Sequence, residues 1–371
     1  MSICFRFALT VLLFCAAIPS VQAQQIPIPT TQEAEPLDID RFFTDSVVVD
    51  GNVNYFSPSR LGQPDFGDVK AKTGIDFGGI TLSSEESLDG QLAAIESGRF
   101  RGARLIRSAE DFDLALKNKE YGVLFYSQGH FPLEGDVTNI QRWHGKGLRI
   151  FQIAYGSRDA NQAEDERLGG GSDQTEGLTP LGKKVVAELI RLKMVIDLSH
   201  CNTQTVIDVA DIAKRQRVPI TVNHTAARNV RDRFGRYRAR YSRNISDKAL
   251  HAIKSTGGVV GIMAYPPYLK NASQELDGRT PKVLQRSATV DDYVAHVDYV
   301  AKTIGVDYVG FSTDGFLDGS HVRNRKADGI LDSPQRWKAV VLRLHAMGYS
   351  KADLQKIMGQ NFLRVYRSVL K

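Results

Sequence analysis

Eight short, nearly continuous apolar runs recur along this chain, and each is followed by a stretch with helical periodicity. The runs are 46–50, 74–82, 121–128, 148–155, 193–200, 218–224, 257–265 and 308–314. A strand with one wet face alternates apolar and polar residues, whereas a near-continuous run suits a strand buried on both faces. Eight strand–helix alternations of this kind predict an α/β protein built as a closed parallel (β/α)8 barrel of the TIM type. A chain of 371 residues can form that barrel as one domain.

The intervening segments carry matching helix signals. Thr179 followed by Pro180 supplies a cap and a first-turn proline ahead of an apolar face of Val185, Val186, Leu189 and Leu192. Thr289 with Asp292 reads as a capping box, and Gly305 ends the helix that it opens. Ser350 with Asp353 opens the last helix in the same manner.

Barrels of this type place reactive groups at the C-terminal ends of their strands. Those ends here hold Asn52 and Asn54, Gln128, Tyr155, His200, His224 and Asp314. Histidines at the ends of two consecutive strands, with an aspartate on the closing strand, fit a metal-assisted hydrolase. Leftover polar residues in a barrel mouth give the same pattern.

Residues 1–23 read as a secretory signal, with Arg6 in the n-region, apolar residues from Phe7 to Ile18, and Val21-Gln22-Ala23 before the cleavage point. The expected product is exported, periplasmic or secreted, with a linker at 24–40 and the barrel at 41–371. The apolar stretch is shorter than the roughly 20 residues of a transmembrane anchor. Removing the signal takes away Cys4 and Cys15, leaves Cys201 alone, and lowers the formal net charge from +6 to +5. An intrachain disulfide is then excluded, so stability rests on the core. Seven arginines crowd residues 228–243. They read either as a solvated basic loop or as a cradle for an anionic group. Aromatic residues are too sparse among them to argue for nucleic acid.

Several motifs together resemble the membrane (renal-type) dipeptidase family of metallopeptidases, within the amidohydrolase-like barrels. They are Gly177-Leu178-Thr179-Pro180-Leu181-Gly182, Val195-Ile196-Asp197-Leu198-Ser199-His200, Asn223-His224-Thr225-Ala226-Ala227-Arg228, Arg243-Asn244-Ile245-Ser246-Asp247, and Gly359-Gln360-Asn361-Phe362. The resemblance implies a two-zinc site with five protein ligands. His200 and His224 match two of these. Asn52, Asn54 and Gln128 stand where a His-x-Asp pair and a bridging glutamate are expected. Asp314 matches the acid–base aspartate, and Arg243 the arginine that receives a substrate carboxylate. Tyr155 occupies the place of a histidine that stabilises the tetrahedral intermediate.

Neutral amide oxygens suit zinc poorly, so a dinuclear cluster is not expected. At most one zinc ion, held by His200 and His224 with Asp314 or water, is one expectation, and no metal at all is its equal alternative. Asn52, Asn54 and Gln128 are expected to satisfy one another by hydrogen bonds, and Asp314 to pair with Arg243 or a protonated histidine. Three functions follow: a secreted binder of small dipeptide- or amide-like carboxylates with weak or lost dipeptidase activity; an active mononuclear hydrolase; and altered chemistry through Tyr155 or Cys201. No nucleic-acid partner or transmembrane anchor is expected, and a homodimer stays open.

Overall fold

The computed structural model describes residues 36–371 apart from 54–64, 130, 156–166, 173, 233, 240, 271–272, 277–280, 285–287, 316–330 and 332. The expected signal and the linker up to residue 35 lie outside these residues, as do Asn54 and the histidines at 130 and 321. A short helix, Ile39–Thr44, starts two residues ahead of the expected barrel boundary, capped by Asp38 and anchored by buried Phe42 and Phe43.

Eight parallel strands follow one another around the barrel. They are β1 (Val49–Val53), β2 (Phe77–Leu82), β3 (Tyr121–Ser127), β4 (Leu148–Gln152), β5 (Val195–Asp197), β6 (Thr221–Thr225), β7 (Val259–Met263) and β8 (Val309–Ser312). Each pairs in parallel with the next. β8 then returns to β1: the Asp314 N–H donates to the Asn52 carbonyl at 3.1 Å, and Val53 bridges Gly315 in parallel. The expected (β/α)8 architecture is therefore the observed one.

β1 begins three residues later than the sequence suggests, because Val49 rather than Ser46 pairs first with β2. It also runs on to Val53, past the expected end at residue 50, so Asn52 sits inside the strand. A short strand over Ala103–Leu105, missed by pattern, pairs with the first half of β3, below the level at which β4 joins opposite Phe125. An antiparallel hairpin, Ser273–Leu276 with Pro281–Leu284, follows β7 and was also not foreseen.

The capping signals work as expected. Thr179 Oγ1 accepts the Gly182 N–H at 3.0 Å and opens helix Pro180–Arg191, which buries Val185, Val186 and Leu189. Thr289 and Asp292 form both halves of a capping box at the head of Val290–Ile304. At the other end of the chain, helix Asn361–Val369 brings Phe362 and Tyr366 into one apolar cluster with Val49, Leu124, Ile150, Val195 and Val259. Three strands make room for this plug. A Cβ on Gly51, Gly261 or Gly310 would lie 2.7, 2.9 or 2.7 Å from the Phe362 ring, inside van der Waals contact. The floor of the barrel is thus filled, and the polar residues gather at the opposite end.

Candidate active site

On the β1–β3 side the mouth is organised by a directed hydrogen-bond relay. Gln128 Nε2 donates to Thr81 Oγ1 at 3.1 Å, Thr81 donates to Asn52 Oδ1 at 2.9 Å, and Asn52 Nδ2 donates to Asp314 Oδ1 at 2.9 Å. Asn52 is fully buried and uses both ends of its amide. The expectation that Asn52 and Gln128 satisfy each other is met only through Thr81, which sequence reasoning missed. Asp314 adopts φ +50°, a left-handed conformation uncommon for a residue with a side chain and found disproportionately at functional sites.

Beneath this relay Asp50 Oδ1 accepts the N–H groups of Thr313 (2.9 Å) and Asn52 (3.2 Å), while its Oδ2 is buried without a partner. Burial pushes the Asp50 carboxyl up to about 6, against the opposing pull of its hydrogen bonds and of the Arg336 charge.

On the β5–β6 side stand the two histidines. His200, at φ +67°, and His224 place their Nε2 atoms 3.1 Å apart, with the rings at 67°. Tyr155 stacks on His200, with ring centroids 4.4 Å apart and planes 18° apart. His224 is fully buried, and burial together with the Arg243 charge holds its pKa well below the usual histidine range. Behind it lies a polar cluster within the strands. The Tyr126 hydroxyl hydrogen-bonds Asp197 Oδ2, lies 2.7 Å from Gln152 Oε1, and is 3.4 Å from His224 Nδ1. Asp197 Oδ1 accepts from Ser199 N (3.2 Å), Ser199 Oγ (2.9 Å) and Asn223 N (2.7 Å).

Arg243 is 7% exposed, donates through Nη1 to the His224 carbonyl at 3.0 Å, and lies 5.1 Å from the centre of the Tyr268 ring. Its Nε is buried without a partner. Asp314, for which Arg243 or a protonated histidine was the expected partner, accepts from Asn52. The other arginines of the loop are not all solvated. Arg238 pairs with Asp292, and Arg228 donates to the carbonyls of Asn244 and Ser242, whereas Arg236 meets Asp232 at the surface. Cys201 lines the same small cavity as His200, Arg228 and Arg243, with room for one water, about 10 Å³. His296 is a structural residue: its Nδ1 accepts the Ala227 N–H and its Nε2 bonds the Leu269 carbonyl, both at 3.1 Å.

Among the described residues at the mouth, His200, His224 and Asp314 are the matched groups suited to a metal, and the Asn52 oxygen is already taken by Thr81. Among the described residues no group of three or more His, Cys, Asp or Glu side chains is placed to hold a metal ion. The described residues therefore do not supply the donors of a five-ligand dinuclear cluster.

The barrel and its mouth define a (β/α)8 scaffold whose polar residues sit at the strand ends. The chain belongs to the membrane dipeptidase family (peptidase family M19), which is typically zinc-dependent and whose profile matches residues 94–371. It is 26% identical over 269 residues to dipeptidase tcpJ of Claviceps purpurea, covering 71% of this chain and 55% of that one. It thus spans about half the length of that fungal relative. Among solved structures it superposes on an amidohydrolase from Pseudomonas aeruginosa with a TM-score of 0.71, at 22% identity, covering 90% of this chain and 99% of the other. A metallopeptidase from Rhodobacter sphaeroides, liganded with a phosphinate mimic of the dipeptide L-Ala-D-Ala, gives 0.65 at 19% identity, covering 88% and 100%.

Proposed function

We propose that this protein is exported and binds a small carboxylate-bearing molecule, dipeptide- or amide-like, in the barrel mouth, with dinuclear-zinc dipeptidase activity weak or lost. The observation that supports it most is the buried Arg243 guanidinium. Its recorded polar partner among the described residues is a neutral carbonyl, and its Nε is unpartnered. A buried cation without an acid is costly, and an incoming carboxylate relieves that cost with two parallel charge-assisted hydrogen bonds. The dipeptide mimic bound by the Rhodobacter relative is a ligand of the same chemical class.

A second reading, a mononuclear hydrolase using His200, His224 and Asp314, draws on the 3.1 Å between the two Nε2 atoms. Two nitrogens on one tetrahedral zinc would lie about 3.3 Å apart.

Calorimetry with small dipeptides and N-acyl amino acids tests the binding reading. Arg243→Lys should weaken binding by about tenfold or more, since lysine cannot reproduce the planar fork. Arg236→Lys, at the exposed end of the loop, should leave it nearly unchanged, and its residual effect should fade with salt. An equal loss in both variants would mean a diffuse basic surface and no pocket.

A further inference from the structure

The hydrogen count around Tyr126 has one consistent solution. Its single hydroxyl hydrogen faces two acceptors, Gln152 Oε1 and Asp197 Oδ2. Gln152 cannot be turned to supply a donor, because its Nε2 already donates to the Ala154 carbonyl at 2.6 Å, and rotation would set two oxygens against each other. Asp197 Oδ1 receives three donors, so it is the carbonyl oxygen. The missing hydrogen belongs on Asp197 Oδ2, which donates it to the Tyr126 oxygen, and Tyr126 donates its own to Gln152. The remaining lone pair of Tyr126 faces His224 Nδ1, which completes the set if that nitrogen carries a hydrogen.

We propose that Asp197 is a neutral carboxylic acid which, acting through Tyr126, holds His224 as the Nδ1–H tautomer and leaves the Nε2 lone pair facing the mouth. Asp197 and Tyr126 are then positioning residues for the site. All the groups involved are fully buried. Removal from water raises the Asp197 pKa despite its hydrogen bonds, in agreement with the count. The consequence for the pocket is definite. His224 presents an acceptor at Nε2, matched by a hydrogen on His200 Nε2 at 3.1 Å. A ligand that displaces His200 from this contact must itself bring a donor. The inference rests on hydrogen bonds alone and stands whichever molecule the mouth takes.

Long-range nitrogen–proton NMR correlations on the histidine-labelled full chain test it, with the signals of His224 assigned by their loss in His224→Gln. The wild type should show Nδ1 protonated and Nε2 bare. Asp197→Asn should keep that pattern, since an amide offers the same acceptor at Oδ1 and a donor toward Tyr126. Tyr126→Phe should lose it and give a mixture of tautomers. A proton on His224 Nε2 in the wild type, or an altered tautomer in Asp197→Asn, overturns the proposal. Infrared spectra at pH 8, where Asp50 is ionised, add a readout that a merely structural role would not move. Labelled aspartate should give a carboxylic-acid carbonyl band in the wild type, and Asp197→Asn should remove it. Absence of the band in the wild type overturns the proposal even if the variant fails to fold.

Discussion

Around β1, β2 and β3 the mouth is lined by Asn52, Thr81 and Gln128, and around β5 and β6 by His200 and His224. The first side is a relay of neutral donors ending on one carboxylate, Asp314. The second presents imidazole nitrogens, with Tyr126, Asp197 and Gln152 behind His224. Both sides are well hydrogen-bonded, but the first offers a metal or a ligand donor one carboxylate among neutral amides, whereas the second offers imidazole nitrogens. The comparison teaches that an orderly site and a reactive site are separable: hydrogen bonds can organise the position of a ligand without supplying its charge.

The largest expected effect concerns turnover. Tyr155 lies flat on His200 at the place where the family resemblance expects an oxyanion-stabilising histidine. Losing one such donor typically lowers a rate by about 100- to 1,000-fold. Hydrolysis of ordinary dipeptides with zinc added should therefore stay at least ~100-fold below a competent turnover of roughly 10 per second. Rates near that value would mean that Tyr155 in that place costs no transition-state stabilisation.

Next in size is a pH effect on the β1 side. The folded-state pKa of Asp50 is raised to about 6 from an ordinary 3.8, so between these values the folded chain holds a proton that the unfolded chain has released. Stability contributed by this group is complete below about pH 4 and falls as the pH rises to about 6, by ~3 kcal/mol in all. Urea denaturation of the wild type and Asp50→Asn across that range isolates it. The difference between the two curves should slope in this direction, and a flat difference would show that Asp50 is not neutral when folded.

The smallest effect is expected at Thr81. Thr81→Val keeps the shape and removes the hydroxyl that joins Gln128 to Asn52. A loss of ~1 kcal/mol in urea denaturation is expected for one partly buried link of this kind. No loss would mean that the two amides are organised independently of each other.

The barrel was legible in the sequence because strands buried on both faces leave long apolar runs, and because caps such as Thr179 and Thr289 signal their helices locally. Ala103–Leu105 was not legible: three residues without alternation become a strand only because the lower half of β3 has a free edge. His200, His224, Asp314 and Arg243 could be read from their places at strand ends or in a loop. Thr81, Tyr126 and Gln152 could not, since each sits inside an otherwise ordinary strand. Asp197 did carry a signal. A carboxylate in the middle of Val195-Ile196-Asp197-Leu198, on a strand buried on both faces, requires partners or a proton, and that alone marks a polar cluster beneath His200.

Metal content tests the contrast between the two sides most directly. The full chain, purified with zinc present and then exchanged into metal-free buffer, is analysed by inductively coupled plasma spectrometry. A mouth with Asn52 and Gln128 bound into the Thr81 relay should retain at most one ion per chain. Two tightly held ions per chain would contradict it.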